Sequence, residues 1–217
     1  MRATINHFLN NIYINNMKIY ILRHEDRTMD GTFFSPLTQD GLDNSIKLIK
    51  ILADCKINTI YSSPFIRTLQ TVLPYSKSRN IKINLEHSLS EIQHPHLIPV
   101  KSYQINLPLY IAEQFNYNPL YVSCLNPSNH VYPEDEKNVL ARVKKFISQV
   151  VREMMNKEVN ILIVTHQIVC NCLLKTATKK IPGITIDNSY NYPKGGLTKI
   201  FDKTDWIFEP INWKFIV

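Results

Sequence analysis

The chain holds only four cysteines and five glycines, and none of its apolar runs is long. Cys55, Cys124, Cys170 and Cys172 show no C-x-x-C spacing, which excludes a disulfide-stapled scaffold and a cysteine zinc ribbon. They read as buried or idle thiols in a reducing, cytoplasmic compartment. No stretch approaches the roughly 20 apolar residues of a bilayer-spanning helix, so no membrane role is expected. The formal charge is +7, yet Lys and Arg form no long block. That spread favours anionic partners without a nucleic-acid-binding motif, making phosphorylated small molecules or phosphoproteins the expected partners and nucleic acid an unlikely one. Residues 1–16 lack the apolar core and small-residue cleavage site of a signal peptide and are read as an extension. No internal repeat or low-complexity segment is present.

What remains is an ordinary globular composition, 44% hydrophobic and 20% charged, suited to one domain over residues 17–217. Ile19 to Leu22 form a short buried strand. PLTQDG starts a helix with Thr38 as N-cap and Leu42, Ile46, Ile49 and Leu52 on its apolar face. INTIYSSP reads as a second strand, with Ser63 and Pro64 as N-cap and first residue of the next helix. Ile81 to Leu85 suggests a third strand. Residues 92–133, rich in Pro, Asn, Tyr and His, read as an inserted cap or specificity region whose Tyr117, Tyr121 and Tyr132 are candidates to line a pocket. A helix is expected from Glu134 to Met155 with Val139, Val143, Phe146 and Val150 inward. NILIVTH is a continuously apolar strand followed by a helix, QIVCNCLLKTA, and GGLTKIFDKTDWIFE predicts a hairpin turning on Asp202 to Asp205. Strand and helix alternation with such runs predicts a three-layer α/β/α fold around a mostly parallel sheet.

Ligands of parallel sheets bind beyond the carboxyl ends of the strands. Arg23 and His24 follow the first strand there, Arg67 lies one turn after the second, and His166 ends the ILIVT strand. A basic pair at one strand end is equally what a solvated loop provides; repetition of the placement is what points to a site. Such a rim suits a phosphate dianion, and a neutral imidazole within reach of phosphorus can attack it. Fixed positive charge would balance the transferring oxygens, so neither a metal nor a cofactor is expected. Glu91, following the third strand, is the candidate acid for the leaving alcohol. His94 and His96 flank a proline without further ligands and are not read as a metal site.

LRHE, PLTQDG, SSPFIRTLQT, SLSEI, PEDEKNVLARV and VTHQIV together resemble, in order, the histidine phosphatase superfamily, also called phosphoglycerate mutase-like proteins. The resemblance covers nearly everything from Met17 onward. It implies a metal-independent phosphomonoesterase with His24 as phosphorylated nucleophile, Arg23 and Arg67 clamping the phosphoryl group, His166 stabilising its charge and Glu91 as proton donor. Glu134 and Arg142 match a family segment with a carboxylate and an arginine eight residues apart, a spacing that puts them on one helix face as a structural pair. Three positions depart from the family pattern: Glu25 and Gln167 where glycine is usual, and Asp30 where asparagine is frequent. Glu25 is expected to face the pocket and repel a dianion. A phosphoglycerate-type mutase is the alternative enzyme, disfavoured because IQHPHLIPVKSY does not resemble the mutases' substrate loop. A catalytically silent phosphate- or phosphoprotein-binding module is the non-enzymatic alternative.

Overall fold

A computed structural model describes residues 16–98, 107–154, 157–177, 190–203 and 205–213. The extension, apart from Asn16, and residues 99–106 of the 92–133 insert therefore lie outside the described residues. Eleven elements follow in chain order: β1 (Lys18–Arg23), α1 (Gln39–Asp54), β2 (Thr59–Ser62), α2 (Ile66–Arg79), β3 (Ile83–Leu85), α3 (Leu109–Ala112), α4 (Glu136–Met154), β4 (Asn160–Thr165), α5 (Gln167–Ala177), β5 (Leu197–Asp202) and β6 (Asp205–Pro210).

The strands form one sheet in the order β3-β2-β4-β1-β5-β6. β1, β4, β2 and β3 run parallel, whereas β5 and β6 close one edge as an antiparallel hairpin whose last pair is Asp202 with Asp205. The alternation of side chains along a strand assigns the layers. Ile19, Ile21, Ile161 and Ile163 face Val139, Val143, Phe146 and Leu173 of α4 and α5. Tyr20, Leu22, Leu162 and Val164 face Leu48 and Leu52 of α1 and Leu69 and Val72 of α2. Residues 161 to 164 are wholly buried, as a strand covered on both sides requires. The result is the expected three-layer α/β/α domain.

Four local expectations are corrected. The buried face of α1 is Gly41, Ser45, Leu48 and Leu52, while Leu42 and Ile49 are half-buried and Ile46 is exposed. Thr38 does cap this helix, accepting from Gly41 N–H at 3.1 Å, but a Cβ on Gly41 would sit 2.2 Å from the Asp26 carbonyl oxygen. That close backbone approach sets the rotation of the helix more strictly than leucine spacing does. The second helix is not capped by Ser63: its N-cap is Phe65, without a side-chain bond, and the helix begins at Ile66. Thr68 ties the entry together by donating to the carbonyls of Ser63 and Phe65 at 2.8 and 2.7 Å. β3 and α4 start two residues later than expected, at Ile83 and Glu136.

The described part of the insert is fastened from below by Glu86, a wholly buried carboxylate just after β3. It accepts from Ser88 N–H (2.8 Å), Tyr121 Oη (2.5 Å), Ser123 Oγ (2.9 Å) and Cys124 N–H (2.9 Å). Four bonds satisfy a group that would otherwise be costly to bury. Tyr121 and Tyr132 use their hydroxyls structurally, the latter donating to Ile98 O at 3.1 Å.

Candidate active site

Parallel pairing brings three strand ends side by side. Arg23 is opposite Thr165 and Ser62 opposite Val164, and the ladder continues past the strands as His24 N–H donates to Thr165 O (2.9 Å) and Ser63 N–H to Val164 O (3.0 Å). His24, His166 and Ser63 thereby share one rim, although they come from distant parts of the chain. The two imidazoles meet edge to face with centroids 5.3 Å apart.

His24 is nearly fully buried, and its Nδ1 lies 2.7 Å from the Glu25 carbonyl oxygen. A carbonyl only accepts, so Nδ1 carries the proton and Nε2 keeps its lone pair. Burial first, then the Arg67 guanidinium, hold the His24 pKa well below its ordinary value against the opposing Glu25 bond, with Arg23 and Arg27 adding smaller depressions. The ring is therefore neutral at neutral pH, as a nucleophile must be.

Arg67 is almost wholly buried, with its Cζ 4.6 Å from the centre of the Phe65 ring and Nη1 donating to Thr32 O at 2.9 Å. Burial pulls its pKa to about 10 despite Glu91, which leaves it charged at neutral pH. Arg23 donates through Nη1 to Tyr192 O, and burial lowers its pKa as well. Arg23 Nε, Arg67 Nε and His166 Nδ1 are buried without a hydrogen-bond partner among the described residues. Unsatisfied buried donors cost roughly 1–3 kcal/mol each, a cost an anionic oxygen would remove.

Burial, then Arg67 and His24, depress the His166 pKa well below the ordinary value, so it is a neutral donor rather than a cation. Its Nε2 lies 2.9 Å from Ser63 Oγ, and its Nδ1 lies 3.4 Å from Glu91 Oε2. Ser63 Oγ accepts from Phe65 N–H at 3.4 Å and can donate its own proton to His166 Nε2. With Ser63 as that donor, the imidazole proton sits on Nδ1, on the side of Glu91. Ser63 is the residue that sequence reasoning missed: in S-S-P it reads as a helix cap.

Glu91 Oε2 is also 3.7 Å from Arg67 Nη2, so the carboxyl stands at the edge of the rim between the second histidine and the second arginine. Arg142 and Glu134 are joined at 2.7 and 3.0 Å, and Arg142 also donates to the carbonyls of Ser88 (2.5 Å) and Ser90 (2.8 Å). Glu134 Oε2 accepts from Gln93 N–H at 3.0 Å. The pair clamps both sides of the Glu91 loop, while Thr165 Oγ1 holds it from the sheet through Leu89 O at 2.6 Å.

Glu25 does not face the rim. Its carboxyl packs against Gly195, where a Cβ would lie 2.0 Å from Oε1, and is influenced by Asn44 and Lys47 of α1. The positive φ of Gly195 and this contact both require glycine there. Burial, with Asp26 nearby, pushes the Glu25 pKa up to about 7. Gln167 donates to Tyr190 O at 3.3 Å, and Asp30 is an exposed acceptor for Thr28 Oγ1 at 2.9 Å. His94 and His96 stack on one another, centroids 5.0 Å apart, and among the described residues no group of three His, Cys, Asp or Glu is placed to hold a metal ion.

A three-layer domain with two arginines and two neutral histidines beyond the carboxyl ends of its parallel strands is phosphoglycerate mutase-like. Residues 19–200 match the model of the histidine phosphatase superfamily (branch 1), and the chain belongs to that family. A Saccharomyces cerevisiae protein, transcription factor tau 55 kDa subunit, is 31% identical over 175 residues, 68% of this chain; the chain spans only 38% of that relative's length. Among solved structures, the α-ribazole phosphatase of Shigella flexneri aligns with a TM-score of 0.63 at 20% identity, covering 93% of this chain and 98% of its own. A phosphoglycerate mutase from Bacillus anthracis str. Sterne aligns with a TM-score of 0.63 at 17% identity, covering 92% and 94%. These solved structures share the fold of the chain. No helix among the described residues is long and apolar enough to cross a membrane.

Proposed function

We propose that the protein hydrolyses phosphate monoesters through a phosphohistidine on His24, without a metal ion. The observation that carries this reading is the Nδ1 contact to the Glu25 carbonyl, which leaves an uncharged Nε2 lone pair near the buried Arg67 and half-buried Arg23 guanidinium groups. In the first half-reaction, Nε2 attacks phosphorus while the ester oxygen leaves with a proton from Glu91. Arg23 and Arg67 bind the equatorial oxygens, and His166 donates to one of them through Nδ1. In the second half, Glu91 takes a proton from water, whose oxygen displaces His24 from phosphorus. Inorganic phosphate leaves and the neutral imidazole returns.

Hydrolysis is preferred to silent binding because the two most divergent positions, Glu25 and Gln167, turn their side chains to Gly195 and Tyr190 rather than into the rim. The substrate is a phosphorylated small molecule or phosphoprotein, selected by the 92–133 insert. Free thiols at all four cysteines support a reducing, cytoplasmic setting. The test is an aryl phosphate assay beside a panel of sugar phosphates, nucleotides, phosphopeptides and phosphoglycerates. Release of inorganic phosphate by the wild type but not by His24→Ala supports hydrolysis; phosphoryl exchange between phosphoglycerates without release would replace it by a mutase.

A further inference from the structure

A second polar cavity, of about 510 Å³, lies at the opposite end of the sheet from the catalytic rim. It is lined by Lys18 at the start of β1, Lys56 and Asn58 before β2, Asn160 at the start of β4, Lys203 in the β5 to β6 turn, and one carboxylate, Glu158. β1 and β4, six residues each, separate it from His24 and His166 by ~20 Å at about 3.3 Å per residue.

Lys18 and Lys56 share this concavity, which Lys203 and one carboxylate also line, and an anion would relieve the repulsion between them. Lys18 and Lys56 form no ion pair among the described residues. Lys56 and Lys203 both occupy left-handed backbone, φ 52° and 62°, where glycine or asparagine fits with less strain. Lysine is thus present at two positions where local conformation disfavours it, and both side chains line the same cavity. The floor is held rigid: Asn160 N–H donates to Asn58 Oδ1 at 3.1 Å, and Asn160 Nδ2 to the carbonyls of Cys55 and Lys56 at 3.0 and 3.2 Å. The Asn58 Oδ1 acceptor is thereby used, and the rest of its amide offers only donors. The volume falls in the range of small-molecule pockets, and the charges come from three separate segments of the chain.

We propose that this cavity is a non-catalytic binding site for a small oligophosphate, either free or as the polyphosphate of a nucleotide. The proposal is independent of the reaction at His24. It is tested on the full chain by titrating metal-free tripolyphosphate at physiological salt and following backbone amide resonances. Saturable shifts at Lys18, Lys56, Asn58, Asn160 and Lys203 are expected, and the Lys18→Gln/Lys56→Gln double variant should weaken that binding about tenfold or more. Its aryl phosphate turnover and thermal midpoint should match the wild type. A parallel ATP titration assigns the source: tighter binding than tripolyphosphate indicates a nucleotide, and equal or weaker binding a free oligophosphate. Shifts confined to the His24 rim, or equal affinity in the double variant, would overturn the site.

Discussion

Arg142 and Glu134 meet through two bonds of 2.7 and 3.0 Å in a buried ion pair, and that pair holds the loop bearing Glu91 against the helix α4. Its position explains why two residues that do not reach the catalytic rim belong to the same motif set as those that do. Arg142→Ala leaves Glu134 buried without its cation, which costs about 3–5 kcal/mol. Urea denaturation should show that loss. The Arg142→Met/Glu134→Leu double variant should recover much of the stability yet stay low in kcat, because the Ser88 and Ser90 carbonyls lose their tether; full recovery of both would separate the pair from Glu91 positioning.

With Ser63 donating to His166 Nε2 the imidazole proton stays on Nδ1, and on that arrangement Ser63→Ala should lower kcat rather than raise KM. One such hydrogen bond is worth ~1–2 kcal/mol, or roughly tenfold in rate. The pH profile of kcat should also change shape, since the imidazole is free to adopt the other tautomer. Unchanged kcat and profile would show that Ser63 only shapes the turn.

Glu25 makes a prediction about stability and pH. Burial raises its folded pKa to about 7 from an ordinary 4.5, so the folded state favours the protonated form. That contribution is complete below pH 4.5 and is lost as pH rises through 7. The buried histidines His24 and His166 act oppositely, weakening the fold as pH falls below their ordinary range. The comparison with Glu25→Gln isolates the carboxyl: relative to wild type, the variant should gain up to about 3 kcal/mol between pH 5 and 8 in denaturant melts. Vanadate inhibition constants should be alike for both proteins at low and high salt, because the carboxyl faces Gly195 and α1. A salt-dependent difference would place its charge in the pocket.

Activity should survive exhaustive chelation. On the proposed mechanism Arg23 and Arg67 are the fixed positive charges at the transferring oxygens. Loss of turnover with EDTA, regained on adding a divalent ion, would contradict a metal-independent site.

Much of this architecture was readable from residues alone because burial on two faces leaves continuous apolar strands, and Ile161 to Val164 are such a run. The α4 face at Val139, Val143, Phe146 and Val150 and the Asp202 to Asp205 turn were legible for the same kind of local reason. Tertiary contacts carried the rest. Gly41 set the phase of α1 by meeting the Asp26 carbonyl, which no periodicity encodes. Ser63 bonds to a histidine 103 residues away, so its local S-S-P context pointed only to a cap. The side chain of Glu25 lies beyond the last strand residue, where alternation no longer dictates direction, and the charge of His166 depended on burial that sequence spacing does not measure.

The most direct measurement is rapid acid-free quenching of the protein during turnover of a 32P-labelled monoester, followed by peptide mapping. Acid-labile, alkali-stable label on the peptide containing His24, absent from His24→Ala and turned over at a rate no slower than kcat, is the expected result. Normal turnover by a folded His24→Ala, or turnover with label confined to another residue, would contradict nucleophilic catalysis by His24.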